Sequence, residues 1–164
     1  MLSIRKSSVA YILEADREQP KDMQTLFFIK QKTLEDENTA ATYYQDAALK
    51  NRGGKKGGWS ASKLSTADLR SFVLCVTRIE NYFLAFDAPA VATYDAVAHF
   101  TKKMQDENSG IVEVDIKGVK YFNIPIVDDE KEIKYIASTL DGASRTEILE
   151  ATEDISKMSD VEKK

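Results

Sequence analysis

A chain of 164 residues with 43% hydrophobic and 30% charged side chains is long enough for one domain with its own core, and its composition is ordinary for a soluble globular protein. The net charge of −4 argues against binding nucleic acid over the whole surface. A single cysteine, Cys75, excludes an internal disulfide, and a single histidine, His99, puts most zinc sites out of reach.

The N-terminal stretch MLSIRKSSVAYILEA has some basic character but no long apolar core of a signal peptide. No run approaches the roughly 18 apolar residues of a membrane helix. The expected setting is the cytosol or a particle assembled there, with no membrane partner.

Ile4, Val9, Tyr11 and Leu13 can alternate as a strand, while Ala10, Leu13 and Ala15 also tolerate a short helix. Glu14 to Pro20 is polar and closes on a proline, a turn. Met23 to Lys32 reads as a strand, with Thr25, Phe27 and Ile29 on one face and Leu26 and Phe28 on the other. Both faces are apolar at its centre, which predicts a strand covered on both sides. Thr33 then caps a helix that runs to about Leu49, with Asp36 three residues on and acid in the first turn.

Asn51 to Ser60 carries paired glycines that hold neither helix nor strand, and a loop over 51–63 is expected. Ser65-Thr-Ala-Asp68 resembles a capping box. Leu69, Phe72, Val73, Val76, Ile79 and Phe83 follow at helical spacing, which predicts a central core helix. Asp87-Ala-Pro89 predicts another start, for a helix through Val91, Tyr94, Val97, Ala98, Thr101 and Met104 that ends at Asn108-Ser-Gly110.

From Ile111 the period becomes two, and Val112, Val114 and Ile116 oppose Glu113, Asp115 and Lys117. Lys117-Gly118 turns the chain into a return arm, Val119 to Ile124, with Pro125 as its end or an edge. Asp128 caps a short helix containing Ile133 and Ile136, and Asp141-Gly142 breaks it. Ser144-Arg-Thr-Glu147 has the spacing of a capping box for a last helix faced by Ile148, Ala151, Ile155 and Met158. The fold class this predicts is α+β: four to five helices with a small, mainly antiparallel sheet or hairpin. Residues 1–158 form one domain and 159–164 a frayed tail.

The most unusual composition is NRGGKKGGW. With Lys50, the residues Arg52, Lys55, Lys56 and Lys63 bring positive charge to a Gly-rich segment beside Trp59. They suit a solvated linker anchored by one tryptophan, a protein-contact loop that orders on assembly, or phosphate contact with Trp59 stacked on a base. The spacing of a P-loop is absent. Asp128-Asp-Glu130 and Asp106-Glu107 read as acidic helix ends rather than metal ligands. His99 has no nucleophile elbow to serve and reads as a structural or surface residue, and Cys75 reads as a small buried apolar residue. Tyr43, Tyr44, Tyr82, Phe83, Phe86 and Tyr94 suit core packing or the rim of an interface. No catalytic set, cofactor or metal is expected.

Two blocks carry a resemblance. Pro20, Gln24, Thr25, Phe27, Lys30 and Thr33 form the first; Glu147-Ile-Leu-Glu-Ala151, Ile155-Ser-Lys-Met158, Ser159 and Glu162-Lys-Lys form the second, with Asn81-Tyr82-Phe83 between them. Together they resemble a family of small proteins encoded among the virion-assembly genes of tailed bacteriophages, of the tail-assembly-chaperone kind. The chain departs from that family between Phe86 and Lys117, where it inserts a predicted helix and strand, and at Glu80, where the family has a tryptophan. The resemblance implies a non-enzymatic structural or morphogenesis protein of the tail or head–tail region, located in the virion or in the host cytoplasm during assembly. Its partners would be other phage structural proteins or further copies of itself. A small phage-encoded effector that binds a host protein or nucleic acid through the basic Gly-rich loop is the alternative.

Overall fold

The computed structural model describes residues 8–49 and 61–161. In chain order these form β1 (Val9–Tyr11), two 3-10 turns (Glu14–Asp16 and Lys21–Met23), β2 (Leu26–Ile29), α1 (Leu34–Leu49), α2 (Ala61–Cys75) and β3 (Val76–Ala85). They continue as α3 (Ala96–Met104), a 3-10 turn (Glu107–Ser109), β4 (Val112–Ile116), β5 (Val119–Val127), α4 (Glu130–Thr139) and α5 (Gly142–Val161). The strands make one antiparallel sheet in the order β1-β2-β3-β5-β4. With its five helices among the described residues the protein is α+β with a small sheet, the class that the residue patterns predict.

Local chemistry sets several of these boundaries. Thr33 and Asp36 form a reciprocal capping box: the Asp36 amide donates to Thr33 Oγ1 at 3.1 Å, and the Thr33 amide donates to Asp36 Oδ2 at 2.9 Å. Thr33→Ala is expected to cost about 1 kcal/mol, measured by chemical denaturation. Burial would raise the Asp36 carboxyl, but the Thr33 bonds and the Lys30 ammonium outweigh it and hold the group below its ordinary range. Its contribution is therefore complete above the ordinary carboxylate range and fades as pH falls through the lower folded value. The β4–β5 hairpin turns at Lys117 (φ 53) and Gly118 (φ 83), both left-handed as a two-residue turn demands, with the Gly118 amide on Asp115 Oδ1 at 2.8 Å.

Other boundaries differ from the sequence expectation. The stripe from Leu69 to Phe83 is not one helix: α2 starts before Ser65, ends at Cys75 and passes directly into β3, the strand between β2 and β5. The mimicry has a cause. Phe28 faces Arg78 and Ile29 faces Val76, so Thr77 is an extra residue, a bulge. Val76 and Ile79 thereby stand three apart and still share the buried face. A second kink follows at Asn81 (φ 54), across from Pro125, and it shifts β3 and β5 together: Ile79 pairs with Val127, and Tyr82 with Ile124.

Pro125 thus lies within β5 rather than ending it; β4 pairs no further than Asn123, so at Pro125 the neighbouring strand is β3. Asn81 also donates to the carbonyls of Asp22 and Gln24 and accepts from Thr25 Oγ1, which pins the preceding 3-10 turn to the sheet.

The helix expected from Asp87 is only α3. Left-handed Ala92 (φ 52) and the Val91–Tyr94 bridge keep the chain irregular until Asp95 caps it by accepting from the Ala98 amide. The cap of α4 is Asp129 rather than Asp128; it accepts from the amides of Lys131 and Glu132. Asp141, not Ser144, heads α5, accepting from both the amide and the hydroxyl of Ser144. Glu147 is diverted: its Oε1 takes the Tyr11 hydroxyl and the Glu14 amide, each at 2.8 Å, and fastens β1 to α5.

One cluster makes the core. Phe27, Ile29, Val76, Ile79, Phe122, Ile124 and Val127 from the sheet meet Phe72, Phe100, Ile133, Ile136 and Ile148 from the helices. Phe27 and Phe72 meet edge to face, centroids 6.3 Å apart. Each such side chain contributes about 1.5–3 kcal/mol by burial.

Candidate contact face

Residues directly opposite in an antiparallel ladder share a face. The pairs Phe27–Ile79, Ile79–Val127, Tyr82–Ile124 and Leu84–Phe122 define the helix-covered face of the sheet. The intervening pairs define the other: Phe28–Arg78, Leu26–Glu80, Glu80–Ile126, Phe83–Asn123 and Ala85–Tyr121, extended by Val112, Val114 and Ile116 of β4 and Val119 of β5. None of the apolar members of this second face belongs to the core cluster or packs against it. Val112, Val119 and Ile126 are 52%, 45% and 50% exposed, and Leu26, Phe28, Phe83, Val114, Ile116 and Tyr121 are half-buried.

Among the described residues, the expectation that β2 is covered on both sides is therefore met on one side only. Ile29 and Phe27 lie in the core, whereas Phe28 has the Arg78 guanidinium 4.3 Å above its ring. Arg78 in turn holds Glu80 at 2.9 Å, and these are the charged strand residues of the face. On the opposite side of β4 and β5 the order is reversed: Glu113, Asp115 and Lys120 point to the helix side and are exposed, with Lys120 on Glu113 at 2.7 Å. The hairpin thus sets its apolar side away from the core.

A polar cluster lies on the helix side. Glu132 of α4 is 2% exposed, and its Oε1 lies 2.6 Å from Lys103 Nζ and 2.7 Å from His99 Nε2, both on α3. Its Oε2 and the Tyr94 hydroxyl are buried without hydrogen-bond partners. Burial raises the Tyr94 hydroxyl, and the charges of Glu132 and Asp129 push it further. Carboxylate, imidazole, ammonium and phenol are acid–base groups. Here they hold α3 against α4. Two surface grooves are lined by other residues. One, about 400 Å³, lies among Tyr43, Leu69, Arg70, Val73, Glu130 and Lys134. The other, about 360 Å³, lies among Lys32, Glu37, Tyr44, Glu153, Ser156 and Lys157. Both are open and of mixed charge.

His99 thus lies against Glu132, a residue that carries no sequence signal: it reads as one more acid in a helix's first turn. Cys75 is buried, and burial raises its thiol. A thiol reagent is expected to label it only after unfolding; rapid labelling of the native protein would contradict this burial. Tyr44 donates to Asp68 Oδ1 at 2.7 Å and joins α1 to α2; burial, then this bond, pushes its hydroxyl up to about 12. Tyr82, Phe86 and Tyr94 pack on the core, Tyr43 carries Arg70 on its ring, and Phe83 lies on the open face.

Of the basic-loop residues, Arg52, Lys55, Lys56 and Trp59 lie outside the described residues, and Lys63 falls in the first turn of α2. Among the described residues, no group of three or more His, Cys, Asp or Glu side chains is placed to hold a metal ion, and no helix is long and apolar enough to cross a membrane. Comparisons with protein-family models, curated proteins and solved structures return no match.

Proposed function

We propose that the protein works by protein–protein contact, through the helix-free face of its sheet, as a non-enzymatic component of bacteriophage virion assembly in the tail or head–tail region. The carrying observation is the apolar outer face, where Phe28, Phe83, Val114, Tyr121 and Ile126 stand outside the core. Monomeric proteins rarely leave a contiguous apolar surface of several hundred Å² without using it. The virion setting rests on the resemblance of the blocks around Phe27 and Glu147.

The proposal is tested by mass spectrometry of purified particles and of assembly intermediates from cells producing them. The chain is expected in at least one of these; its absence from all of them would refute the virion setting.

A further inference from the structure

We infer that the occupant of the open sheet face is a second copy of the same chain, packed sheet to sheet; this rests on the reading of that face as a contact surface. Three observations favour a like partner. The first is charge. The strand residues Arg78 and Glu80 neutralise each other at 2.9 Å, so the face can meet its own copy without like-charge repulsion, although the whole chain carries −4. A partner chosen by charge would find no unpaired strand charge to read.

The second is size. Five strands ~4.8 Å apart, two of them nine and ten residues long and three of them three to five, rising ~3.3 Å per residue, give a footprint of roughly 500 Å². Side chains that project from it, Val112, Val119 and Ile126 most of all, add area and bring the face toward the ~800 Å² per partner of a standard interface.

The third is shape. The face is an antiparallel sheet with alternate apolar residues, the same arrangement that packs on another sheet at ~10 Å inside a β-sandwich. A two-fold axis through it makes the contact isologous, so each Phe83 and Ile126 meets a surface of identical composition. The second apolar set on β2, which no helix needs, acquires a use: it is the other half of a core completed between two chains.

Sedimentation equilibrium of the full chain tests this, with Val112→Lys and Ile126→Lys as variants. Both positions are about half exposed, so the substitutions leave the monomer folded, as circular dichroism will show. The wild type is expected to be dimeric at micromolar concentration. Each variant should raise the dissociation constant at least about tenfold, and added salt should not weaken the wild-type dimer because Arg78 and Glu80 leave the strands of the face no net charge.

A wild-type chain that stays monomeric, or a dimer that neither variant weakens, would overturn the inference. Incorporation of the same variants into particles or assembly intermediates then separates the two levels. Loss of incorporation with a monomeric wild type means that a different protein covers the face. Normal incorporation with an unaffected dimer removes the face as a contact surface altogether.

Discussion

Phe27→Asp abolishes the folded state, whereas Phe28→Asp, one residue on, leaves it intact. Phe27 is 1% exposed, faces Ile79 across the ladder and meets Phe72 edge to face. Removing the ring costs about 3–5 kcal/mol. Leaving an unpaired carboxylate in its place costs several more. Together these exceed or match the 5–15 kcal/mol that stabilises a typical domain. Phe28 points the other way. Its replacement loses the contact with the Arg78 guanidinium but sets a carboxylate beside that same cation on an open surface. The far-ultraviolet dichroism of Phe27→Asp should be that of a disordered chain, and Phe28→Asp should melt cooperatively within about 1–2 kcal/mol of wild type. Two unfolded variants would mean that β2 is buried on both faces within the monomer.

The second large effect concerns Glu132. Lys103→Met leaves a carboxylate that is 2% exposed with His99 as its remaining partner. About 3 kcal/mol of destabilisation is expected, the low end for breaking a buried pair. Replacing both members, Glu132→Met with Lys103→Met, removes the stranded charge and the unpartnered Oε2 as well, and should recover most of the loss. Chemical denaturation of wild type, of Lys103→Met and Glu132→Met singly, and of the double variant decides the matter. Strict additivity of the two losses would show that the groups do not act on each other.

The parts of the fold legible in the sequence are those fixed by neighbouring residues. Thr33 with Asp36 and Lys117 with Gly118 each carry their own geometry within four residues, and both stand where the patterns put them. The alternation of Phe27 and Ile29 against Leu26 and Phe28 also survives. What failed was periodicity wherever a strand is irregular. The Thr77 bulge and the paired kink at Asn81 and Pro125 space the buried residues of β3 at intervals that a helix would also produce. The β-branched and aromatic run Val76, Thr77, Ile79, Tyr82, Phe83 was the available counter-signal.

Caps failed where a tertiary contact outbid a local one. Glu147, spaced to complete a box with Ser144, is taken instead by Tyr11 and Glu14 from the far end of the chain. Glu132 is invisible for the same reason, since the groups that make it a strut, His99 and Lys103, lie on another helix. The open face was half legible: an apolar second side of β2 announced a cover, and the described residues do not supply one.

The most direct measurement of that claim is hydroxyl-radical footprinting of Phe28, Phe83 and Tyr121, in dilute isolated protein and in the associated or assembled state. These three aromatic rings should lose reactivity together on association, while Tyr43, on the helix side beside Arg70, keeps its own. Unchanged reactivity of Phe28, Phe83 and Tyr121 in every associated state would contradict the account.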